Sequence, residues 1–222
     1  MIRDQSVSTY AEAVAGIGDG ATIMLGGFGA AGVPLGLVAA VRDLGVSGLT
    51  VISNNAGFSG PDLTLWFEAG MVARMICSYP RTSPACIALW RAGKLAIEVV
   101  PQGTLVERMR AAGAGLGGVY SPVGVGTLLA EGKETKVIEG REYVLELPLR
   151  ADVALLRADK ADRFGNLTYR KTARNFSPAM ATAATLVVAE CATLVETGAI
   201  DPELVVTPGI FVDRVVAMGS PA

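Results

Sequence analysis

The sequence predicts an α/β protein with an open, mostly parallel sheet, helices on both faces of that sheet and a β-richer second half packed on it. Three observations carry this prediction. Apolar runs typical of buried strands alternate with helical segments of roughly eight to ten residues in the first half, the pattern of βαβ crossover units. Apolar residues make up 51% of the 222 residues, which is ample material for a core. No linker divides the chain, so we expect a single domain over residues 1–222.

The first half supplies the strands and helices of these units. Thr9 and Glu12 have capping-box spacing and predict a helix that ends near Ile17. The uncharged residues 21–41 have the length of a membrane span, but the glycines and the proline in their middle predict a strand, a loop and a helix that begins at Pro34. The strands of this half are predicted at Ala21–Leu25, Leu49–Ser53, Ala73–Ser78 and Leu95–Val100, and its later helices at Asp62–Ala69, Pro84–Ala92 and Thr104–Ala112.

The second half has a different texture. Residues 113–127 are too rich in glycine to predict regular structure. Strands are predicted at Glu142–Leu147, Asp152–Leu156 and Thr185–Glu190, and a turn at Pro208–Gly209. The sequence contains three cysteines. Their long spacings match no zinc motif, so we expect buried thiols in a reducing cytosol.

Charge and composition exclude several classes of function. Nineteen basic and 21 acidic side chains give a net charge of −2, which fits neither a nucleic-acid partner nor an acidic membrane surface. Histidine is absent, which removes Ser-His-Asp and Cys-His nucleophiles and the commonest metal ligand, so no metal is expected. The N-terminus has no apolar stretch of signal-peptide length, and we expect a cytoplasmic protein.

A glycine-rich loop follows the predicted strand at 21–25. Residues 27–32 match G-x-G-x-x-G between a strand and a helix, the context of a dinucleotide-binding loop. That site also needs an acidic residue at the end of the next strand, where this sequence has Ser53, Asn54 and Asn55. An oxidoreductase that binds NAD or a flavin therefore stays only an alternative, and a tight turn without a ligand is another.

A longer string, from Asp19 to Pro34, resembles the signature of the A-type subunit of the class I 3-oxoacid CoA-transferases. Further blocks of the same resemblance follow in family order at residues 53–57, 100–104, 121–127, 161–166, 173–176 and 207–211. The resemblance implies transfer of CoA between two carboxylic acids, for example from succinyl-CoA to a 3-oxo acid, without an organic or metal cofactor. Residues 76–81, 90–94 and 169–176 are most similar to the 3-oxoadipate branch, with acetoacetate-type members as the alternative.

The resemblance also implies a partner, the B-type subunit of the same enzymes. In this family the nucleophile is a glutamate in a Glu-Asn-Gly string of the B-type subunit, and a carboxylate needs no histidine for activation because it is ionised at neutral pH. This sequence has no such string; Glu131–Gly132 and Glu139–Gly140 lie in polar stretches that predict turns or solvated strand ends. We therefore expect an A/B hetero-oligomer that is active only with the B-type subunit. A noncatalytic binding or assembly subunit of the same fold is the alternative.

Matching residues give the expected site. Gln102 corresponds to the family glutamine that donates to the oxyanion, and the resemblance favours this role over that of a glutamine that bonds local backbone in a turn. The segment assigned to CoA binding comprises Gly26, Gly27, Phe28, Gly29, Ala30, Ala31 and Gly32. Phe28 either contacts the pantetheine arm or fills the core. Asn54 and Asn55 either contact substrate or cap a turn.

Four basic side chains stay outside the expected catalytic set. Arg170, Lys171 and Arg174 form a cluster, and Arg81 follows a predicted strand. Arginine suits both the phosphates of CoA and a dicarboxylate substrate. A solvated face or a subunit contact is the favoured interpretation.

Overall fold

One large sheet runs through the molecule, in a computed structural model that describes residues 4–58 and 60–221. The strands in chain order are β1 (Ser6–Val7), β2 (Thr22–Leu25), β3 (Leu49–Asn55), β4 (Val72–Tyr79), β5 (Ala96–Val99), β6 (Val119–Ser121), β7 (Thr135–Ile138), β8 (Arg141–Glu146), β9 (Ala151–Asp162), β10 (Leu167–Thr168), β11 (Ala184–Val195) and β12 (Arg214–Ala217). The helices are α1 (Tyr10–Val14), α2 (Leu35–Asp43), α3 (Thr64–Glu68), α4 (Pro84–Arg91), α5 (Gln102–Gly113) and α6 (Ser177–Ala183).

The large sheet is parallel along its whole path, in the order β1-β12-β11-β9-β2-β3-β4-β5, with β10 added antiparallel to β9. On one side of the β2–β9 pair the strands follow chain order from β2 to β5. On the other side β9, β11 and β12 follow chain order, and β1 pairs with β12 at the outer edge. The two halves of the chain therefore meet where β2 pairs with β9, with Ile23 opposite Val153 and Leu25 opposite Leu155. Such a switch in strand order opens a crevice at the carboxyl ends of the strands, where ligands bind in open α/β sheets.

Helices cover both faces of this sheet, as predicted. Ile23 and Leu25 of β2 pack in the same core as α1 to α4, whereas Met24 packs in the core that contains α5 and α6. Alternate residues of a strand point to opposite faces, so a strand buried on both faces is apolar at every position. The apolar runs of the first half therefore predict strands within a few residues of their observed bounds. Among the described helices, none combines the length and the apolar character needed to cross a membrane.

The glycine-rich segment of the second half departs from the prediction. The glycine-rich residues 113–127 are not wholly irregular, because Val119–Ser121 forms β6, which pairs antiparallel with β8. A second antiparallel pairing joins β7 to β8 through the turn Glu139–Gly140, where both residues have positive φ, 50° and 76°. Two such residues are typical of a tight hairpin turn, which confirms the turn predicted there.

The three cysteines are buried free thiols, as expected. Burial raises the pKa of Cys77 to about 12 and the pKa values of Cys86 and Cys191 to about 11. A thiol with such a pKa stays protonated at neutral pH and is a poor nucleophile. The cysteines therefore act as small apolar side chains of the core.

Candidate active site

Three predicted site segments meet at one edge of the sheet. The glycine-rich loop follows β2, Asn54 and Asn55 are the last residues of β3, and Gln102 follows β5 as the first residue of α5. Because these strands are parallel, their carboxyl ends lie at the same edge, next to the switch between β2 and β9. The end of β3 carries amides instead of a carboxylate, so the dinucleotide alternative lacks its ribose ligand.

Three side-chain amides are linked in a chain at this edge. Asn55 Nδ2 donates to Asn54 Oδ1 at 3.3 Å, and Asn54 Nδ2 donates to Gln102 Oε1 at 3.2 Å. Asn55 Oδ1 accepts from the backbone N–H of Gly57 at 2.8 Å, which fixes the start of the chain. The two asparagines are buried, with 6% and 7% of their surface exposed, whereas Gln102 is exposed. The chain therefore orients an exposed amide through two buried ones.

The orientation of Gln102 leaves its amide nitrogen available. Its oxygen accepts from Asn54, and within residues 4–58 and 60–221 its Nε2 has no hydrogen-bond acceptor. An NH₂ group held in this way is a fixed donor toward whatever occupies the crevice. The side chain of Gln102 bonds to Asn54 of β3 and not to the backbone of its own turn, so the local-backbone interpretation is not what the structure has.

The helix that begins at Gln102 adds further donors. The sequence predicts this helix from Thr104, but it begins two residues earlier, and Pro101 at its N-cap supplies no side-chain acceptor. The backbone N–H groups of Gly103 and Thr104 have no acceptor in the described part of the chain. Free amides at a helix N-terminus carry partial positive charge and favour oxygen atoms with negative charge.

The glycine-rich loop is a tight, closed turn. Phe28 N–H donates to the carbonyl of Ala31 at 3.0 Å, and Ala31 N–H donates back to the carbonyl of Phe28 at 3.1 Å. Gly26 N–H donates to the carbonyl of Leu155 on β9 at 2.9 Å, which ties the start of the loop to the switch point. The space between this loop and the end of β3 is narrow, about 10 Å³, roughly the room for one water molecule.

Asn175, from the segment before α6, holds this loop in place. Its Oδ1 accepts from the N–H of Gly27 at 3.2 Å, and its Nδ2 donates to the carbonyl of Ala31 at 3.2 Å and to that of Ala173 at 2.9 Å. Its backbone has a φ of 28°, uncommon for a residue with a side chain. The sequence did not predict this role, although Asn175 belongs to the block of family resemblance at 173–176.

Aromatic rings stand at the tip of the loop. Phe28 is 47% exposed, so it does not fill the core, and that alternative is wrong. Phe58, which follows β3, is 43% exposed and approaches Gly29. Tyr79 and Val99 end the next two strands and are also exposed. The edge of the sheet therefore presents an apolar rim around the buried amides.

Across residues 4–58 and 60–221, the four basic side chains form no hydrogen bond with the amide chain. Arg170, Lys171 and Arg174 are in or next to a 3₁₀ turn, and Arg174 lines a groove of about 470 Å³ between α5 and α6. Arg81 is exposed in a similar turn after β4. Within the described residues these four side chains form no ion pair.

A buried carboxylate supports the helix after the loop. Glu190 on β11 is 1% exposed, and its Oε2 accepts from the N–H of Leu37 at 3.1 Å and from the hydroxyl of Tyr10 at 3.4 Å. Burial raises the pKa of Glu190, while the N-terminal amides of α2 and the charge of Arg157 act in the opposite direction. Burial and the nearby Glu190 charge raise the pKa of Tyr10 to about 12, so its hydroxyl stays protonated.

We expect Glu190→Gln to flatten the pH dependence of folding stability. In the folded chain the pKa of Glu190 is raised above its usual 4.5. At pH values between the unfolded and the folded pKa, the folded state therefore binds more protons than the unfolded state. Stability of the natural chain therefore falls as pH rises through that window, and Glu190→Gln lacks this fall. Urea unfolding at pH 5 and pH 8 measures it. The exposed Glu68→Gln is the control, and an identical pH slope in all three chains contradicts the prediction.

Comparison with known proteins agrees with this architecture. The model of the coenzyme A transferase family matches residues 7–218. The chain is 54% identical over 221 residues to the A-type subunit of the 3-oxoadipate CoA-transferase of Pseudomonas putida, covering 99% of this chain and 96% of that relative. It is 48% identical over 223 residues to the A-type subunit of the succinyl-CoA:3-ketoacid coenzyme A transferase of Xanthomonas campestris pv. campestris strain B100, covering 99% and 92%.

A solved structure has the same fold. The apoenzyme of acyl-CoA transferase (YdiF) from Escherichia coli O157:H7 superposes with a TM-score of 0.87 at 23% identity, over 96% of this chain. This chain spans 47% of that protein, about half its length, and at such identity the likeness shows the fold alone. The family model extends over nearly all of the sequence, and two relatives match over nearly their full lengths. The chain therefore belongs to the coenzyme A transferase family.

Proposed function

We propose that this chain is the A-type subunit of a two-subunit CoA-transferase that moves CoA from an acyl-CoA such as succinyl-CoA to a 3-oxo acid. The acceptor is 3-oxoadipate, with acetoacetate as the alternative. The free amide of Gln102, fixed by Asn54 at the carboxyl edge of the sheet, is the observation that carries the proposal. The identity of 54% to the corresponding subunit of a 3-oxoadipate CoA-transferase supports the choice of acceptor.

The reaction begins with a carboxylate of the B-type subunit. This carboxylate attacks the acyl carbon of the thioester, the carbonyl oxygen takes the negative charge, and the CoA thiolate leaves as a mixed anhydride forms. The thiolate then attacks the glutamyl carbon of the anhydride and releases the first acid, which leaves a glutamyl-CoA thioester. The acceptor acid repeats the two exchanges in reverse order. Every step exchanges a carboxylate oxygen and a thiolate at an acyl carbon, so CoA thioester is a substrate and no cofactor takes part.

Gln102 stabilises the charge that develops in these attacks. A fixed donor aimed at an oxyanion contributes on the order of 3 kcal/mol to the transition state. Asn54 and Asn55 are nearly buried, so they act by orienting Gln102. The first amides of α5 add a favourable field at the same place.

The glycine-rich loop, residues 26–32, receives the thioester end of CoA. Its backbone is held rigid by Asn175, so it binds without reordering. The exposed ring of Phe28 contacts the pantetheine arm. The exposed apolar rim is covered when the B-type subunit brings its carboxylate to Gln102, and the A/B complex acts in the cytoplasm.

Reconstitution from separate subunits tests the division of labour. We expect the purified chain alone to transfer no CoA from succinyl-CoA to 3-oxoadipate or acetoacetate, and the B-type subunit to restore transfer, because the nucleophile lies on that chain. Borohydride reduction during turnover should label a glutamate of the B-type subunit. Robust transfer by the isolated chain, or a label on one of its own side chains, contradicts the proposal.

A further inference from the structure

One buried hydroxyl close to the amide chain is left without a partner. Ser78 is the second-to-last residue of β4, and its Oγ is shielded from solvent. Within residues 4–58 and 60–221 this oxygen forms no hydrogen bond. Buried polar groups in native proteins nearly always have a partner, so an exception calls for an explanation. The position of Ser78 in the sheet supplies one.

Strand register places Ser78 beside Asn54. The parallel pairing of β3 with β4 is regular from Thr50 onward, and at its end Asn55 lies opposite Tyr79. The residues one position earlier, Asn54 and Ser78, therefore lie opposite each other. Side chains of residues that lie opposite each other on neighbouring strands point to the same face of the sheet. The Ser78 hydroxyl and the Asn54 amide are thus neighbours on one face.

That face is the one that α5 covers. Ile52 and Ile76 come two residues earlier on the same strands, and both pack in the core that contains Leu105 of α5. Because side chains alternate along a strand, Asn54 and Ser78 point to this face as well. Helix α5 also contacts β4 directly. Ser78 therefore faces the helix that begins at the oxyanion donor.

The hydrogen bond between Asn54 and Gln102 spans β4. Asn54 lies on β3 and Gln102 follows β5, and β4 lies between these two strands in the sheet. Neighbouring strands are about 4.8 Å apart, so two side chains that start two strands apart meet above the strand between them. Ser78 is the residue of β4 that points to this face at the level of Asn54. Its hydroxyl therefore lies under the two linked amides.

The linked amides still have room for a further donor. A carbonyl oxygen has two lone pairs, and among the described residues Gln102 Oε1 accepts a single hydrogen bond, the one from Asn54. A serine hydroxyl donates one hydrogen bond and changes position when its χ1 angle moves between staggered rotamers. A donor that lacks an acceptor thus lies beside an acceptor that can take one more donor.

We propose that Ser78 is a positioning residue whose hydroxyl, after a change of its χ1 rotamer, donates to Gln102 Oε1 in the A/B complex. This inference rests on the proposed function and deepens it. A second donor at this oxygen makes it harder for the amide to turn over, so Nε2 stays directed at the oxyanion. Hydrogen bonds in a chain polarise one another, so the second bond also makes the N–H of Gln102 a stronger donor.

Removal of the Ser78 hydroxyl in the A/B complex tests this role. We expect Ser78→Ala to lower kcat for transfer from succinyl-CoA to 3-oxoadipate about 3- to 10-fold, the effect of one hydrogen bond, and to leave KM for succinyl-CoA unchanged. In a chain that already carries Gln102→Ala, the same substitution should have no further effect on kcat, because Ser78 acts only through Gln102. Ser78→Cys fills the same space with a weak donor and should lose nearly as much activity as Ser78→Ala.

Thr64→Val is the matched control. Thr64 on α3 is 5% exposed, and its hydroxyl also lacks a partner in the described part of the chain, but α3 packs on the opposite face of the sheet. We expect this variant to leave kcat unchanged. If Ser78→Ala does not assemble with the B-type subunit, Ser78→Cys gives the same comparison. An undiminished kcat in an active Ser78 variant, or an equal loss with and without the Gln102 side chain, overturns the assignment alone; a natural complex that transfers no CoA overturns it together with the proposed function.

Discussion

Replacing Gln102 by alanine should lower kcat of the A/B complex about 10²- to 10³-fold. Removal of one oxyanion donor costs roughly 3–4 kcal/mol of transition-state stabilisation. The negative charge on the acyl oxygen exists only during the attack on the acyl carbon, so the donor acts on the transition state and not on the bound substrate. KM for succinyl-CoA should change little for the same reason. Steady-state transfer from succinyl-CoA to 3-oxoadipate measures both constants.

The same variant separates a catalytic subunit from a mere scaffold. Gln102 is exposed, so water can replace its oxygen as the acceptor of Asn54 Nδ2, and its truncation should lower the thermal unfolding midpoint only slightly. Gln102→Asn keeps an amide but shortens the side chain by one methylene, and we expect an intermediate loss of kcat. Undiminished turnover with Gln102→Ala is the result expected of a noncatalytic assembly subunit, and it contradicts the role proposed here.

Local sequence pattern predicts the parallel half of the sheet well. Strands buried on both faces leave uninterrupted apolar runs, and glycine and proline separate them from helices. The end of β3 shows the limit of this signal. The prediction stops at Ser53 because Asn54 and Asn55 are polar, yet the ladder continues to Asn55, which pairs with Tyr79 of β4. The two polar residues that matter for the site therefore sit in a strand.

Other elements depend on contacts between distant parts of the chain. The short strand β1 has two residues and exists because it pairs with β12 at the other end of the sequence. The glycine-rich loop is held by Asn175, about 150 residues away, and α2 is capped by Glu190. A resemblance of motifs identifies Gln102 and the asparagines separately. Their hydrogen bond follows only from the strand order, which no local pattern contains.

The second large effect is expected for Gly32→Ala in the glycine-rich loop. Gly32 has a φ of +77°, and an added Cβ would lie 2.6 Å from both the carbonyl oxygen of Ala173 and Nδ2 of Asn175. The backbone at Ala173 can shift only at a high cost in free energy. The Asn175 side chain cannot move without breaking its hydrogen bonds to Gly27 and Ala31. We expect a cost of about 3 kcal/mol or more, which lowers the unfolding midpoint by roughly 6–12 °C in a chain of this length.

Gly45→Ala isolates the contribution of the clash. Gly45 has a similar φ of +68°, but no atom of the described residues lies within 4 Å of its added Cβ, so only the left-handed backbone is penalised. That penalty alone is about 1–2 kcal/mol, or roughly 2–8 °C in the midpoint. If the close approach of Asn175 positions the loop for CoA, Gly32→Ala should also raise KM for succinyl-CoA, whereas Gly45→Ala should not. Equal shifts in both midpoints, with unchanged KM values, would mean that the contact between Gly32 and the segment before α6 does not shape the loop.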